Sequence, residues 1–366
     1  MMQSDFSQTS GTWNSEIFTS SHATEDLMQQ QDLKACYLIE ENFNTNYKML
    51  NTLGKGNFSV VKRAFHVPTC TTVAVKILQN NKYTSVTSRE ARIMKSLSHP
   101  NIIKLYHVVE TRETTYLVME YASEGELQDR VIQAGSLEDS EARKIFVQIV
   151  HAVQYCHDHH IAHRDIKASN ILINRKGNIK LSDFGLAAKV VPGQKLAGFC
   201  GTLPYCAPEL LQAEKYEGLP VDIWSLGVLL FFMVSGSLPF RGNSFVEIKW
   251  QIISANFSVP PHVSIDIFNV IVEMLMINPS RRPTIHQIKT RPMIRDSEAC
   301  LPPNSTQVFP DTRSPSTVRS MRAVTDKPDR NISSCSLQEE FKSISLTDSS
   351  SGDTLEKETV KEYTVK

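Results

Sequence analysis

The sequence has no Cys-x-x-Cys pair, and its seven cysteines are odd in number and scattered along 366 residues. That spacing excludes a paired-thiolate zinc site and a disulfide framework, and it points to a reducing compartment such as the cytoplasm. Charge of one sign is also missing: Lys plus Arg and Asp plus Glu both number 39. No overall field therefore draws the chain to nucleic acid or to a membrane surface. The opening residues MMQSDFSQTS lack the basic start and apolar run of a signal peptide. The longest apolar stretch, Ile223 to Val234, falls well short of the ~20 residues that span a bilayer, so it reads as a buried helix and not as a membrane span.

What remains is a chain of ordinary balance, 41% hydrophobic and 21% charged, long enough to bury a large core. Cys156, His157, His159, His160 and His163 lie close together, but no second Cys/His pair stands elsewhere to complete a metal site. Residues 1–46 and 296–366 are rich in Ser, Thr, Gln and Asn and show no sustained apolar period. Both read as disordered flanks, because they offer too little apolar area to offset the entropy of ordering.

The interval 47–295 is dense in pattern. Tyr47–Lys55, Phe58–His66 and Thr71–Leu78 are short β-branched runs separated by turn signals. A helical stretch at Val86–Leu97 follows, then strands at Ile102–Val109 and Thr115–Tyr121. Beyond that, helical periodicity dominates. Ser136-Leu-Glu-Asp139 reads as a capping box opening a helix to His159, with Ile145, Ile149, Ala152, Val153 and Cys156 at helical spacing. The expected class is α+β, with a small β-rich lobe (47–121), a larger helical lobe (122–295), and a seam near Tyr121–Glu124.

The chemistry starts from Leu53-Gly54-Lys55-Gly56-Asn57-Phe58-Ser59-Val60-Val61, placed at a strand turn, with Ala74-Val75-Lys76 in a neighbouring strand. Alone, a glycine pair between strands is a hairpin turn. Glycines there also let a backbone approach phosphates, which a lysine rising from a nearby strand can hold. Lys76 then needs a carboxylate to fix its long side chain, and Glu90 in the following helix is suitably placed. The downstream pattern is far more specific: His163-Arg-Asp165-Ile-Lys167-Ala-Ser-Asn170, then Asp183-Phe-Gly185, then Ala207-Pro-Glu209. Phosphoryl transfer calls for these residue types. Asp165 can accept the proton of an attacking hydroxyl, Lys167 can neutralise charge on the moving group, and Asn170 and Asp183 offer hard oxygen ligands for Mg2+.

In this order and spacing the chain resembles a eukaryotic protein kinase domain over residues 47–295. The resemblance implies ATP and magnesium as cofactors and proteins as substrates. It places Val61, Ala74 and Leu172 around the adenine, Met119 behind it, and Glu120 to Ala122 as the hinge. It pairs Arg282 with Glu209, assigns Asp222 to holding the catalytic loop, and stacks His163 and Phe184 in one set with Met94 and Leu105. Lys167 follows the serine/threonine kinases. Gly54-Lys-Gly-Asn-Phe, His99-Pro-Asn-Ile-Ile, Met119-Glu-Tyr-Ala-Ser and the 192–206 segment resemble the kinases related to AMP-activated kinase. Within that group the likeness runs through the microtubule-affinity-regulating kinases to the sperm motility kinases.

Departures from the family pattern are informative. Ser59 stands where the third glycine of the loop falls. Gly198 stands where relatives place a phosphorylatable threonine, and between Gly185 and Glu209 the only Ser or Thr is Thr202. The resemblance makes Thr202 a threonine that hydrogen-bonds the catalytic loop, and it leaves Arg164 without an activating phosphate. The activation segment is therefore expected to order without phosphorylation, the enzyme being constitutively active or held by a regulatory partner. Glu126 resembles an acidic residue that touches the ATP ribose and a basic side chain upstream of the target hydroxyl. Residues 315–346 carry faint similarity to a ubiquitin-associated segment. The alternative is a pseudokinase scaffold that binds without phosphoryl transfer, and the complete set Lys76, Glu90, Asp165, Lys167, Asn170 and Asp183 argues against it. A small-molecule kinase is disfavoured by the complete 201–209 peptide-binding segment.

Overall fold

A computed structural model describes residues 42–56, 59–79, 85–111, 113–213 and 215–298. Residues 1–41 and 299–366, which hold most of the two expected flanks, lie outside the described residues, as do Asn57 and Phe58. The described chain divides into two compact units, one of residues up to 98 with 103–121, the other of residues 99–102 with those from 122 on.

The first unit is built on a five-stranded antiparallel sheet in the order β1-β2-β3-β5-β4. Its strands are β1 (Tyr47–Lys55), β2 (Ser59–His66), β3 (Thr71–Gln79), β4 (Leu105–Glu110) and β5 (Thr114–Glu120). Helix α1 (Ser85–Lys95) falls between β3 and β4. Alternation divides the sheet into two faces. Val61 pairs with Gly54 and with Lys76, Lys76 with Leu117, and Ala74 with Met119. These residues therefore share one face. The opposite face carries Val73, Val75, Val118 and Val109, packed in a cluster with Phe43.

Phe43 is a correction to the expected boundary. Residues 42–46, read above as flank, form a helical turn in which Phe43 is buried and stacks on Tyr47 and Tyr116, with centroids 4.7 Å and 4.3 Å away. Stacked aromatic pairs add to simple burial, and one aromatic in a polar stretch is too little periodicity to signal a helix. A second correction concerns residues 99–102. They were placed in the smaller lobe but group with the second unit. There Ile102 bridges Leu181, and Leu181 donates its backbone N–H to Asn101 O at 2.8 Å. Strand β4 accordingly begins at Leu105 and not at Ile102.

The second unit is mainly helical. In chain order its helices are α2 (Leu127–Ala134), α3 (Asp139–Asp158), α4 (Pro208–Gln212), α5 (Gly218–Ser235), α6 (Phe245–Ser254), α7 (Ile265–Met274), α8 (Ile285–Lys289) and α9 (Pro292–Glu298). Short strands β6 (Ile161–Ala162), β7 (Ile171–Ile173), β8 (Ile179–Leu181), β9 (Ala188–Lys189), β10 (Leu196–Ala197) and β11 (Lys215–Tyr216) fix the loops between them. All five apolar positions assigned to α3 by periodicity are buried. The capping box at its start does not form. The helix begins at Asp139 with Glu138 at the N-cap and no side-chain cap bond, while Leu137 N–H donates to Met233 O at 2.8 Å. A tertiary hydrogen bond has replaced the local one. The apolar stretch at 223–234 lies in α5, which is long and apolar enough to cross a membrane but is buried almost throughout inside this unit.

Candidate active site

In the first unit Lys76 and Glu90 form a buried, two-pronged ion pair. Lys76 Nζ donates to Glu90 Oε1 at 2.8 Å and to Oε2 at 3.0 Å. Both are held by regular structure, Lys76 between β2 and β5 and Glu90 on α1. Burial of two charges is unfavourable unless each is matched, so the pair fixes α1 against the sheet at a defined register. Gly54 and Gly56 end β1 and the turn after it. Neither has a positive φ, and a Cβ on Gly54 would meet nothing within 4 Å. A Cβ on Gly56 would lie 3.3 Å from Ser59 Oγ, so packing within the unit disfavours a side chain at 56 but not at 54. An open backbone beside a lysine leaves room for an anionic phosphate at the amide groups. Val61, Ala74 and Met119 share that face with Lys76, half-buried or buried. Leu53 is exposed, Lys55 faces solvent, Ser59 and Val60 open β2, and Glu120 closes β5.

In the second unit the loop at 163–170 is anchored by Asp222 of α5. Its Oδ2 accepts His163 N–H at 2.8 Å, its Oδ1 accepts Arg164 N–H at 2.8 Å, and His157 Nε2 donates to Oδ2 at 3.0 Å. Asp222 has no exposed surface, so three donors offset the loss of its hydration. Arg164 takes a left-handed backbone, φ 65°, and Asp183 does too, φ 61°. Non-glycine residues in that region cost of order 1–3 kcal/mol and cluster where function overrides propensity.

Asp165 sits at the centre of a hydrogen-bonded group. Its Oδ1 accepts Thr202 Oγ1–H at 2.9 Å, and its Oδ2 accepts from Asn170 Nδ2 at 3.1 Å and from Lys167 Nζ at 3.0 Å. Lys167 Nζ also donates to Thr202 Oγ1 at 2.8 Å, which closes a ring of three side chains. Asn170 Nδ2 reaches the Asp165 carbonyl at 2.8 Å as well. Both Asn170 bonds use Nδ2, so Oδ1 is the hard oxygen that remains for a cation. Asp183 offers a carboxylate, with Gly185 N–H on Oδ1 at 3.3 Å. Two oxygen donors, few in number and close to a carboxylate, fit magnesium, which keeps several waters and takes one or two protein ligands. Leu172 lies on β7 and bridges the backbone of Glu126, next to α2, while Ala122 opens the unit.

Below this group, Arg282 grips Glu209 with two bonds, Nη1 to Oε1 at 2.6 Å and Nη2 to Oε2 at 2.7 Å. Its other N–H groups go to the carbonyls of Met276, Pro220 and Ile277, and its guanidinium lies 5.0 Å from the ring centre of Trp224. Glu209 opens α4, directly after the Thr202 segment. His163 and Phe184 pack edge to face at 4.8 Å, with His163 Nε2 donating to Ser182 O at 3.0 Å.

Comparison with known proteins decides the family. The profile described as "Protein kinase domain" matches residues 47–294. The chain belongs to the protein kinase family. It is 46% identical over 247 residues to "Serine/threonine-protein kinase SIK1" of Rattus norvegicus, covering 66% of this chain and 32% of that protein. It is likewise 46% identical over 247 residues to "Serine/threonine-protein kinase SIK2" of Gallus gallus, covering 66% of this chain and 31% of that protein. The aligned region thus spans about a third of the length of the curated relatives.

Set against this kinase family, one arrangement was invisible in the sequence. Arg164 donates from Nε to Leu186 O at 2.8 Å and from Nη1 to Tyr216 Oη at 3.1 Å. Tyr216 Oη donates in turn to Gly198 O at 3.2 Å and lies 3.6 Å from Cys200 Sγ. Burial, then the neighbouring Cys200, push the Tyr216 phenol up to about 12, so it stays a neutral hydroxyl. The Arg164 guanidinium here meets the neutral oxygens of Leu186 and Tyr216. Only the absence of a threonine at Gly198 hinted at this, and nothing in the sequence pointed to Tyr216.

Proposed function

We propose that this chain is a serine/threonine protein kinase that transfers the γ-phosphate of ATP to hydroxyls of protein substrates. The observation that carries this reading is the position of Asp165, whose carboxylate is aimed by Thr202, Asn170 and Lys167. A substrate hydroxyl presented to that carboxylate gives up its proton to it, which orients the oxygen as a nucleophile. Lys167 stands where a cation neutralises charge on the transferring group. Lys76, steadied by Glu90, holds phosphate oxygens, and the Gly54–Gly56 backbone lets them approach. Asn170 and Asp183 would hold magnesium, which would supply positive charge to offset that of the phosphates.

The activation segment supports unphosphorylated activity. Gly201, at φ 101°, lies so close to Arg164 that a Cβ would come within 2.8 Å of Arg164 O. The Arg164–Tyr216–Gly198 chain of hydrogen bonds then does what a phosphate does elsewhere, tying the segment to the catalytic loop. Glu126 favours substrates with Arg or Lys N-terminal to the target hydroxyl, and a peptide array indifferent to upstream charge would contradict this. The four described cysteines are all free, which agrees with a reducing, cytoplasmic setting. A role in sperm rests on the likeness of the 192–206 segment, and absence of the protein from testis would remove it.

The test is transfer of radiolabelled phosphate from Mg-ATP to a basic protein, by unmodified enzyme beside Asp165→Asn. Transfer that vanishes in the variant supports the reading. No transfer by the wild type with ATP binding intact moves the weight to a scaffold.

A further inference from the structure

In the first unit an open groove of about 370 Å³ runs between the C-terminal end of α1 and strand β4. Met94 and Leu97 form its floor, Leu105 and Val108 its wall, and Lys95, Lys104, Tyr106 and His107 its rim. The four rim residues are exposed, Tyr106 by 51%. Lys104 Nζ lies 5.8 Å from the Tyr106 ring centre, and Glu120 accepts Lys104 N–H at 3.3 Å. Strand β4 is an edge strand of the sheet. An edge strand beside an apolar floor and a basic rim is a seat for an extended acidic segment with apolar residues.

We infer that residues 1–41 of this same chain occupy the groove, with Glu25-Asp26-Leu27-Met28 as the contacting stretch. Three observations favour this occupant. Residues 1–41 carry seven acidic residues against one lysine, whereas residues 299–366 carry ten against nine Lys and Arg. Only the first is complementary to two lysines and a histidine. The described chain begins at Asn42 on the sheet face of Val109 and Tyr116, and His107, paired with Val118, lies on that face too. The thirteen residues between Met28 and Asn42 reach about 45 Å when extended, ample for the path. Leu27 and Met28 then meet Met94, Leu97 and Val108, while Glu25 and Asp26 meet Lys95 and Lys104. Because α1 also carries Glu90, the seated segment would brace the helix that holds Lys76.

The test is carbodiimide coupling of the full chain at low concentration, with the amide links mapped by mass spectrometry. Links from Lys95 or Lys104 to Glu25 or Asp26 are expected, at a yield independent of protein concentration. They should be lost at 1 M salt, where the Debye length falls to about 3 Å. In parallel, amide exchange of residues 105–110 should be several-fold faster in Glu25→Gln/Asp26→Asn than in the wild type. Links from these lysines only to residues beyond 298, a yield that rises with concentration, or equal exchange in the two proteins would each overturn the inference.

Discussion

Tyr216→Phe isolates the hydroxyl that joins Arg164 to the activation segment. The ring is buried, only 3% exposed, and phenylalanine fills the same space, so the substitution removes one oxygen and little packing. Two hydrogen bonds go with it, the Arg164 Nη1 donation at 3.1 Å and the donation to Gly198 O at 3.2 Å. A hydrogen bond to a charged group contributes about 1.5–3 kcal/mol and a neutral one about 0.5–1.5 kcal/mol. The loss to the closed segment is then about 2–4.5 kcal/mol, a roughly 30- to 1,600-fold rise in local opening at 1.4 kcal/mol per factor of ten.

Hydrogen exchange reads that quantity directly. Amides of 196–201 should exchange faster by one to three orders of magnitude, while those of the buried helix α5 keep their wild-type rates. Phosphoryl transfer should fall as well, because Gly201 and Thr202 belong to the loosened segment and Thr202 aims Asp165. Exchange at 196–201 altered by less than about threefold, with transfer unchanged, would refute the idea that a neutral clamp replaces phosphate. A several-fold gain from an upstream kinase, with phosphate mapped inside 186–206, would refute it from the other side.

Lys76→Met leaves the Glu90 carboxylate buried without its cation and should cost about 3–5 kcal/mol by urea unfolding. Lys76→Met/Glu90→Leu should recover most of that loss yet stay inactive in phosphate transfer, since stability and phosphate holding separate at this pair; recovery of transfer would contradict the role given to Lys76. Arg282→Ala orphans Glu209 and should destabilise by a similar few kcal/mol, with Arg282→Lys intermediate because one ammonium cannot match two carboxylate oxygens at once; equal thermal midpoints for all three proteins would count against it. His99 is lowered to about 4 by burial, then by His151 and Lys180, and its Nδ1 accepts Asn101 N–H at 3.1 Å. The unfolded chain therefore binds the proton more readily, so full stability above about pH 6.5 should decline as pH falls towards 4. His99→Gln should narrow the difference in urea midpoint between pH 7 and pH 5, and an unchanged difference would reject the assignment.

The parts of this molecule that were readable in advance are those where a short sequence maps onto a short structure. Strand alternation put Val61, Ala74, Lys76 and Met119 on one face because period two leaves no freedom once the register is set. The grouping of Asp165, Lys167 and Asn170 follows from their lying within six residues of each other, so their mutual geometry is almost local. Phe43 and the 99–102 segment were not readable for the opposite reason. One aromatic in a polar flank shows no period, and Asn101 is held by Gln148 and Ile179, 47 and 78 residues away.

The same distinction explains the activation segment. Gly198 gave no sign of its partner, because Tyr216 is 18 residues further on and joins through the β10–β11 pairing of Leu196 with Tyr216. A phosphate supplies two negative charges that can be added or removed, whereas a phenol held near 12 supplies a hydroxyl that stays neutral across the physiological range. Replacing the first by the second trades a reversible electrostatic latch for a permanent hydrogen-bonded one. On that proposal, control would act elsewhere, on Lys76–Glu90 through α1 or on access to Asp165.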